Sequence, residues 1–102
     1  MHAIVEAHRA EVEELCREHG VRRLDVFGSA ARGNFRPDES DLDFLVDFHP
    51  PTPGESWRRY FDLLDGLRDL FGRPVDLVED SAIKNPYFRE SVEETREPFY
   101  AA

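Results

Sequence analysis

A chain of 102 residues has room for one small domain but not for two ordinary hydrophobic cores, so we expect a single domain spanning residues 1–102. Hydrophobic residues make up 40% of the chain, enough for one core, and the 34% of charged residues therefore indicates a solvated surface rather than disorder. The formal net charge of −9 argues against direct nucleic-acid binding, which needs clustered Lys and Arg, and no apolar run is long enough to cross a membrane.

Cysteine usage and the start of the chain bear on the compartment. Cys16 is the only cysteine, which excludes an internal disulfide and favours a small core residue in a reducing environment. The first residues lack the basic and apolar regions of a signal peptide. We therefore expect a cytoplasmic protein.

The predicted elements begin with an amphipathic helix over residues 4–19, where less polar residues recur at spacings of three and four. A strand follows over 21–27 (VRRLDVF), and 28–38 indicates a loop with one helical turn after Ser29. Residues 42–48 (LDFLVDF) form a second strand, apolar enough to be covered on both faces.

A second long helix is predicted up to Phe71, with a capping-box spacing from Thr52 to Glu55 at its start. Its aromatic and leucine residues recur on one side, so we expect them in the core rather than in a base-stacking platform. They are Trp57, Tyr60, Phe61, Leu64, Leu67 and Phe71.

The C-terminal third adds a third short strand over 75–78 (VDLV) and a last helix that starts at Pro86. Residues 96–102 are expected to be extended. The order of elements predicts an α/β fold with a small mixed sheet of three to four strands flanked by helices.

Two acidic residues stand at the entrance of the second predicted strand. Asp41 and Asp43 are two apart, so their side chains point to the same face, separated by roughly 6–7 Å of strand rise. Carboxylates this close repel each other, and a hard divalent cation resolves that conflict; oxygen-only ligands favour Mg²⁺ or Mn²⁺ over zinc. If the third strand pairs beside the second, Asp76 approaches both, and three acids could then hold two ions.

Gly28 and Ser29 stand where a strand ends and a helical turn begins, a place where free backbone N–H groups attract an anion. Glycine permits close approach, and the Ser29 hydroxyl can donate to a phosphate oxygen or cap the turn. The sequence thus supplies phosphate donors and metal-binding carboxylates for a nucleotide site. Asp76 is the predicted general base or hydroxyl-orienting group.

The three-part pattern of Gly28-Ser29, then Asp41-x-Asp43 after eleven residues, then a later Asp76 resembles the DNA polymerase β-like nucleotidyltransferase superfamily. More narrowly, FGSAARG, SDLDFLV and GRPVDLV resemble the minimal nucleotidyltransferases, the MntA-like antitoxins encoded beside HEPN-domain toxins. The resemblance covers nearly the whole chain. It implies a polymerase β-like core.

By position, the resemblance implies that Gly28 and Ser29 hold the triphosphate and that the three aspartates bind two Mg²⁺. Arg32 and Gly33 match the loop that follows the glycine-serine pair. Arg32 could neutralise a phosphate or instead brace the acid cluster, and Ser40 could orient Asp41.

The activity that the resemblance implies is transfer of AMP from ATP to a tyrosine of a partner HEPN ribonuclease, which silences it. We therefore expect a metal-dependent nucleotidyltransferase that acts as an antitoxin in a complex with a HEPN-domain toxin. The alternative is a non-catalytic module that neutralises its partner by contact alone. Transfer to an RNA end is disfavoured by charge, and transfer to a small molecule by size, since 102 residues leave no space for an added acceptor domain.

Several other polar residues have ordinary explanations. We expect Asp25, Asp47 and Lys84 to face solvent. The four histidines show no ligand spacing and are expected on helix faces or on the surface.

Overall fold

The computed structural model describes residues 2–32, 36, 41–51 and 56–102. Within these ranges, helices and strands follow one another nearly as the sequence predicts. The helices are α1 (Ala3–Ala7), α2 (Arg9–Glu18), α3 (Ser29–Arg32), α4 (Ser56–Phe71) and α5 (Pro86–Thr95), with a 3₁₀ turn at Asp80–Ala82. The strands are β1 (Val21–Phe27), β2 (Leu42–Phe48), β3 (Val75–Glu79) and β4 (Glu97–Ala101).

The four strands form one mixed sheet in the order β3-β2-β1-β4. β1 pairs antiparallel with both β2 and β4, and β2 pairs parallel with β3. The expected α/β fold with a small mixed sheet is therefore confirmed. The tail predicted as extended is the edge strand β4, because its backbone completes the hydrogen bonding of β1.

Helices cover both faces of the sheet. On one face, the alternate β2 residues Leu42, Phe44 and Val46 are buried with apolar residues of α1, α2 and α4. On the other, Phe27 and Leu45 form a smaller cluster with Val92 of α5. This two-sided burial explains why β2 is apolar at nearly every position.

The predicted helix over residues 4–19 is two helices, α1 and α2. His8 separates them, because its backbone leaves the helical region at φ −109°, ψ 19°. The His8 ring meets Phe71 edge-on, with 5.1 Å between ring centroids. In α2, Cys16 is buried as expected, and burial raises the pKa of its thiol to about 12.

The start of α4 departs from the prediction. Leu63, Leu67 and Phe71 are buried, but Trp57 and Phe61 are 66% and 53% exposed, so the expected core role of these two aromatics is wrong. At 100° per residue, Phe61 lies about 160° around the helix from Leu63 and points away from the sheet. The predicted capping box at Thr52 and Glu55 lies outside the described residues.

Tyr60 is half-buried beside these exposed aromatics. Its hydroxyl donates a hydrogen bond to the carbonyl of Leu77 on the edge strand β3. Burial is the main reason that the pKa of this phenol is raised. Tyr60 therefore ties the first turns of α4 to the strand that carries Asp76.

Asp25 is fully buried, which overturns its expected exposure. Its carboxylate accepts hydrogen bonds from the guanidinium groups of Arg96, at 2.8 Å, and Arg23, at 3.1 Å, and these pairings offset the cost of burying the charge. Asp47 is partly buried against Arg22, whereas Lys84 is exposed as expected. Among the helices of the described ranges, none has the length and apolar character needed to cross a membrane.

Candidate active site

Three carboxylates occupy one face of the sheet at the start of two neighbouring strands. Asp43 of β2 is the direct register partner of Asp76 of β3. Asp41 lies two residues before Asp43, just ahead of β2, on the side to which Asp43 points. Asp43 is half-buried, and the other two are exposed. The parallel pairing of β2 and β3 thus brings together the three predicted acids.

The electrostatics of this cluster centre on Asp43. Its pKa is raised from 3.8 to about 6, mainly by burial and further by the charges of Asp76 and Asp41 and a hydrogen bond to Asp76. Three carboxylates are therefore unfavourable at neutral pH without a compensating positive charge.

Gly28 brings the backbone of β1 against this cluster. Its φ of +72° turns the chain sharply after Phe27, the register partner of Asp43. A Cβ built on Gly28 would collide with the Asp43 carboxylate oxygen Oδ2. Glycine adopts this conformation without strain, and it leaves the Asp43 carboxylate in place against the turn.

The backbone N–H groups of this turn are not equivalent. Those of Ala31 and Arg32 donate to the Gly28 carbonyl at 3.2 and 3.1 Å, and that of Gly28 donates to the Thr95 hydroxyl at 2.9 Å. Within the described residues, the N–H groups of Ser29 and Ala30 have no acceptor. The donors that remain for a phosphate are therefore those of Ser29 and Ala30.

The other predicted nucleotide-binding residues have mixed outcomes. Ser29 is half-buried at the first position of α3, and Arg32 is exposed at its last. In the described part of the chain, Arg32 makes no ion pair with the three aspartates, so a bracing role for it has no support there. Gly33 and Ser40 lie outside the described residues.

The donor set suits a hard divalent cation, because all three side chains offer carboxylate oxygens. Across ranges 2–32, 41–51 and 56–102, no three His, Cys, Asp or Glu side chains are already grouped as metal ligands. The Asp76 carboxyl already lies against that of Asp43, and Asp41 is exposed, so its side chain can rotate toward both at little cost. The chemistry of the acids therefore fits Mg²⁺ or Mn²⁺ once Asp41 turns inward.

Sequence reasoning missed Thr95. Its hydroxyl holds the Gly28 N–H, although the two residues are 67 positions apart. Threonine at the end of a helix carries no distinctive pattern, so only the packing of α5 on the sheet reveals the contact.

Comparison with known proteins agrees with this geometry. Residues 9–98 match the model of the nucleotidyltransferase domain. A candidate protein adenylyltransferase of Methanocaldococcus jannaschii is 41% identical over 93 residues, covering 83% of this chain and 91% of the relative. The protein adenylyltransferase MntA of Thermococcus cleftensis is 40% identical over 83 residues, covering 81% of this chain and 77% of the relative.

Solved structures show the same fold. A minimal nucleotidyltransferase superposes with a TM-score of 0.76 at 37% identity, and the match covers 96% of each chain. In a complex between a tri-AMPylated HEPN toxin of Shewanella oneidensis and its MNT antitoxin, the matched chain has a TM-score of 0.65 at 15% identity, over 95% of this chain and 72% of the other, which shows the fold alone. The domain match and the sequence relatives together establish that this chain belongs to the nucleotidyltransferase domain family and is an adenylyltransferase of its minimal type.

Proposed function

We propose that this adenylyltransferase transfers AMP from ATP to a tyrosine hydroxyl of a HEPN-domain toxin, and so acts as the antitoxin of that toxin. Two kinds of finding support the proposal. Relatives at 40–41% identity are named as protein adenylyltransferases, and the fold recurs in a complex of an AMPylated HEPN toxin with its antitoxin. The net charge of −9 also favours a protein acceptor over a nucleic acid.

One structural observation carries the catalytic part of the proposal. Asp43 lies next to both β3 and the turn after β1. It is in register with Asp76 of β3, and its carboxylate occupies the space that a side chain at Gly28 would need. A triphosphate held at the Gly28 turn therefore lies beside the acids. This adjacency is the arrangement that nucleotidyl transfer requires.

We assign Asp41, Asp43 and Asp76 as ligands of two Mg²⁺ ions, for which Mn²⁺ can substitute. When bound, Mg²⁺ would neutralise the triphosphate and lower the pKa of the attacking hydroxyl. The raised pKa of Asp43, caused mainly by burial and further by the charges of Asp76 and Asp41, supports a cation here, because a positive charge would favour the ionised carboxylate.

The chain's own groups take the remaining roles. The N–H groups of Ser29 and Ala30 hold phosphate oxygens, with the Ser29 hydroxyl as a further donor. Asp76, exposed on the edge strand β3, accepts a hydrogen bond from the acceptor hydroxyl and takes its proton. The acceptor oxygen then forms a bond to the α-phosphorus of ATP, and the bond between that phosphorus and pyrophosphate breaks.

The test is co-expression of the chain with a candidate HEPN-domain toxin from the same genome, followed by intact-mass measurement of that toxin. Wild type should add whole AMP units. The double variant Asp41→Asn/Asp43→Asn should add none, because both central carboxylates are lost. Asp65→Asn, which removes an exposed acid of α4, is the matched control and should act as wild type.

Two results would contradict the proposal. AMP addition by the double variant at the wild-type rate would show that the Asp41 and Asp43 carboxylates are not needed for the reaction. Full protection from the toxin by the double variant, with no AMP added, would favour neutralisation by binding alone.

A further inference from the structure

The Thr95 hydroxyl ties the end of α5 to the turn at the end of β1. Thr95 Oγ1 accepts the Gly28 N–H at 2.9 Å and donates a longer hydrogen bond, 3.4 Å, to the carbonyl of Ser91. Thr95 and Gly28 are both half-buried, so water competes only in part for the shorter bond. Losing it would leave the Gly28 N–H without its protein partner.

This bond restrains the residue of the turn that has the greatest intrinsic backbone freedom. Glycine has more backbone freedom than any other residue, and no side chain of its own limits the orientation of Gly28. Its carbonyl already accepts the N–H groups of Ala31 and Arg32. Thr95 fixes the other side of Gly28, and the orientation of the N–H groups of Ser29 and Ala30, which have no acceptor among the described residues, follows from both restraints.

The position of Thr95 is itself held firmly. The next residue, Arg96, pairs with the fully buried Asp25 of β1 at 2.6 Å and 2.8 Å. On the other side, Val92 is buried against Phe27 and Leu45. The hydroxyl is therefore presented to the turn from an anchored helix end.

We propose that Thr95 is a positioning residue for nucleotidyl transfer: by holding the Gly28 N–H, it aims the N–H groups of Ser29 and Ala30 at the triphosphate. The proposal rests on the assignment of this turn as the phosphate site in the function proposed above. Thr95 acts through the turn and contacts no substrate.

The test compares Thr95→Val, which keeps the shape but removes the acceptor, with Thr95→Ser, which keeps the hydroxyl. Calorimetric titration with inorganic tripolyphosphate measures the phosphate site without any acceptor protein. Thr95→Val should weaken tripolyphosphate binding and raise KM for ATP, each by about ten-fold, the effect of one hydrogen bond. Thr95→Ser should stay within about three-fold of wild type.

A destabilised variant separates positioning from general weakening of α5. Arg89→Ala removes a guanidinium of α5 that pairs with Asp80, which lies only 3.8 Å from Arg96, and that has no hydrogen bond to Thr95 or Gly28 within the described residues; it should lower the melting temperature while leaving tripolyphosphate binding unchanged. The proposal would be overturned if Thr95→Val bound tripolyphosphate as tightly as wild type. It would also be overturned if Thr95→Ser or Arg89→Ala lost as much tripolyphosphate affinity as Thr95→Val. Failure of the wild-type chain to add AMP to its partner would instead refute the proposed function.

Discussion

Gly28 meets two constraints that matched variants can separate. Its φ of +72° disfavours any side chain, and a Cβ there would collide with the Asp43 carboxylate. Gly72 has a similar φ of +63°, but a Cβ there would have no neighbour within 4 Å. Gly72 therefore reports backbone strain alone.

We expect Gly28→Ala to lower the free energy of unfolding by about 2 kcal/mol and Gly72→Ala by about 1 kcal/mol, because only at Gly28 must a neighbouring carboxylate also rotate away from the new methyl group. Urea denaturation measures both values. In an Asp43→Ala background, the cost of Gly28→Ala should fall to that of Gly72→Ala. Equal costs for the two glycine variants in the wild-type background would show that Asp43 leaves room for a side chain.

Individual residues were predictable where strand geometry alone decides their place. Asp41 and Asp43 share a face through simple alternation, and the position of Asp76 followed from an expected strand pairing. Asp25 was mispredicted because its main partner, Arg96, lies 71 positions away. Thr95 was missed for the same reason, since sequence patterns report neighbours along the chain and these contacts cross the fold.

At the scale of elements, a buried ion pair at the end of α5 adds to the packing of Val92 in attaching this helix to the sheet. Arg96 is 15% exposed and Asp25 is fully buried, so removal of the arginine would leave the buried Asp25 carboxylate without its main partner. The half-exposed Arg23 would remain as the protein partner of Asp25. Arg22 and Asp47 form a comparable pair at the surface, with 55% of the arginine side chain exposed.

We expect Arg96→Ala to cost about 3 kcal/mol of stability, because it leaves Asp25 buried without its main partner. Arg22→Ala should cost less than about 1 kcal/mol, since solvent screens an exposed pair. Thermal and urea unfolding of both variants provide the comparison. If the two arginine variants proved equally stable, the buried pair would not be what anchors α5.

Elements were predictable wherever their signals are local. β1, β2 and the body of α4 follow from runs of apolar residues and the turns that bound them. The break between α1 and α2 at His8 was not predictable, because the less polar residues of 4–19 keep helical spacing across it. The interruption shows only in the backbone angles of His8. The pairing of β4 with β1 depends on the closure of the whole sheet, which the tail alone does not encode.

At the scale of the whole molecule, the cluster of Asp41, Asp43 and Asp76 lowers the stability of the folded chain at neutral pH, because its negative charges lie close together. The folded-state pKa of Asp43, about 6, lies above its ordinary value of 3.8. Between these two pH values the folded chain holds a proton that the unfolded chain has lost. In metal-free buffer, the contribution of Asp43 to stability therefore falls as pH rises through this window and stays lower above it.

Asp43→Asn should remove this pH-dependent cost. At pH 8 we expect the variant to be more stable than wild type by about 1 kcal/mol, a value reduced from the full shift because solvent screens this half-buried group. At about pH 3 the two proteins should be almost equally stable, because Asp43 is then largely protonated in both folded and unfolded wild type. Urea denaturation across this pH range, in the presence of a chelator, measures the difference.

Addition of Mg²⁺ should reverse the order of the two proteins at pH 8. A cation that binds only the folded state adds about 1.4 kcal/mol at ten times its dissociation constant, so wild type should gain stability that Asp43→Asn largely lacks. At pH 5 the gain of wild type should shrink, because the proton on Asp43 competes with the ion. Asp65→Asn should respond as wild type does. An equal gain for wild type and Asp43→Asn would place the cation elsewhere and would separate the carboxylate cluster from metal binding.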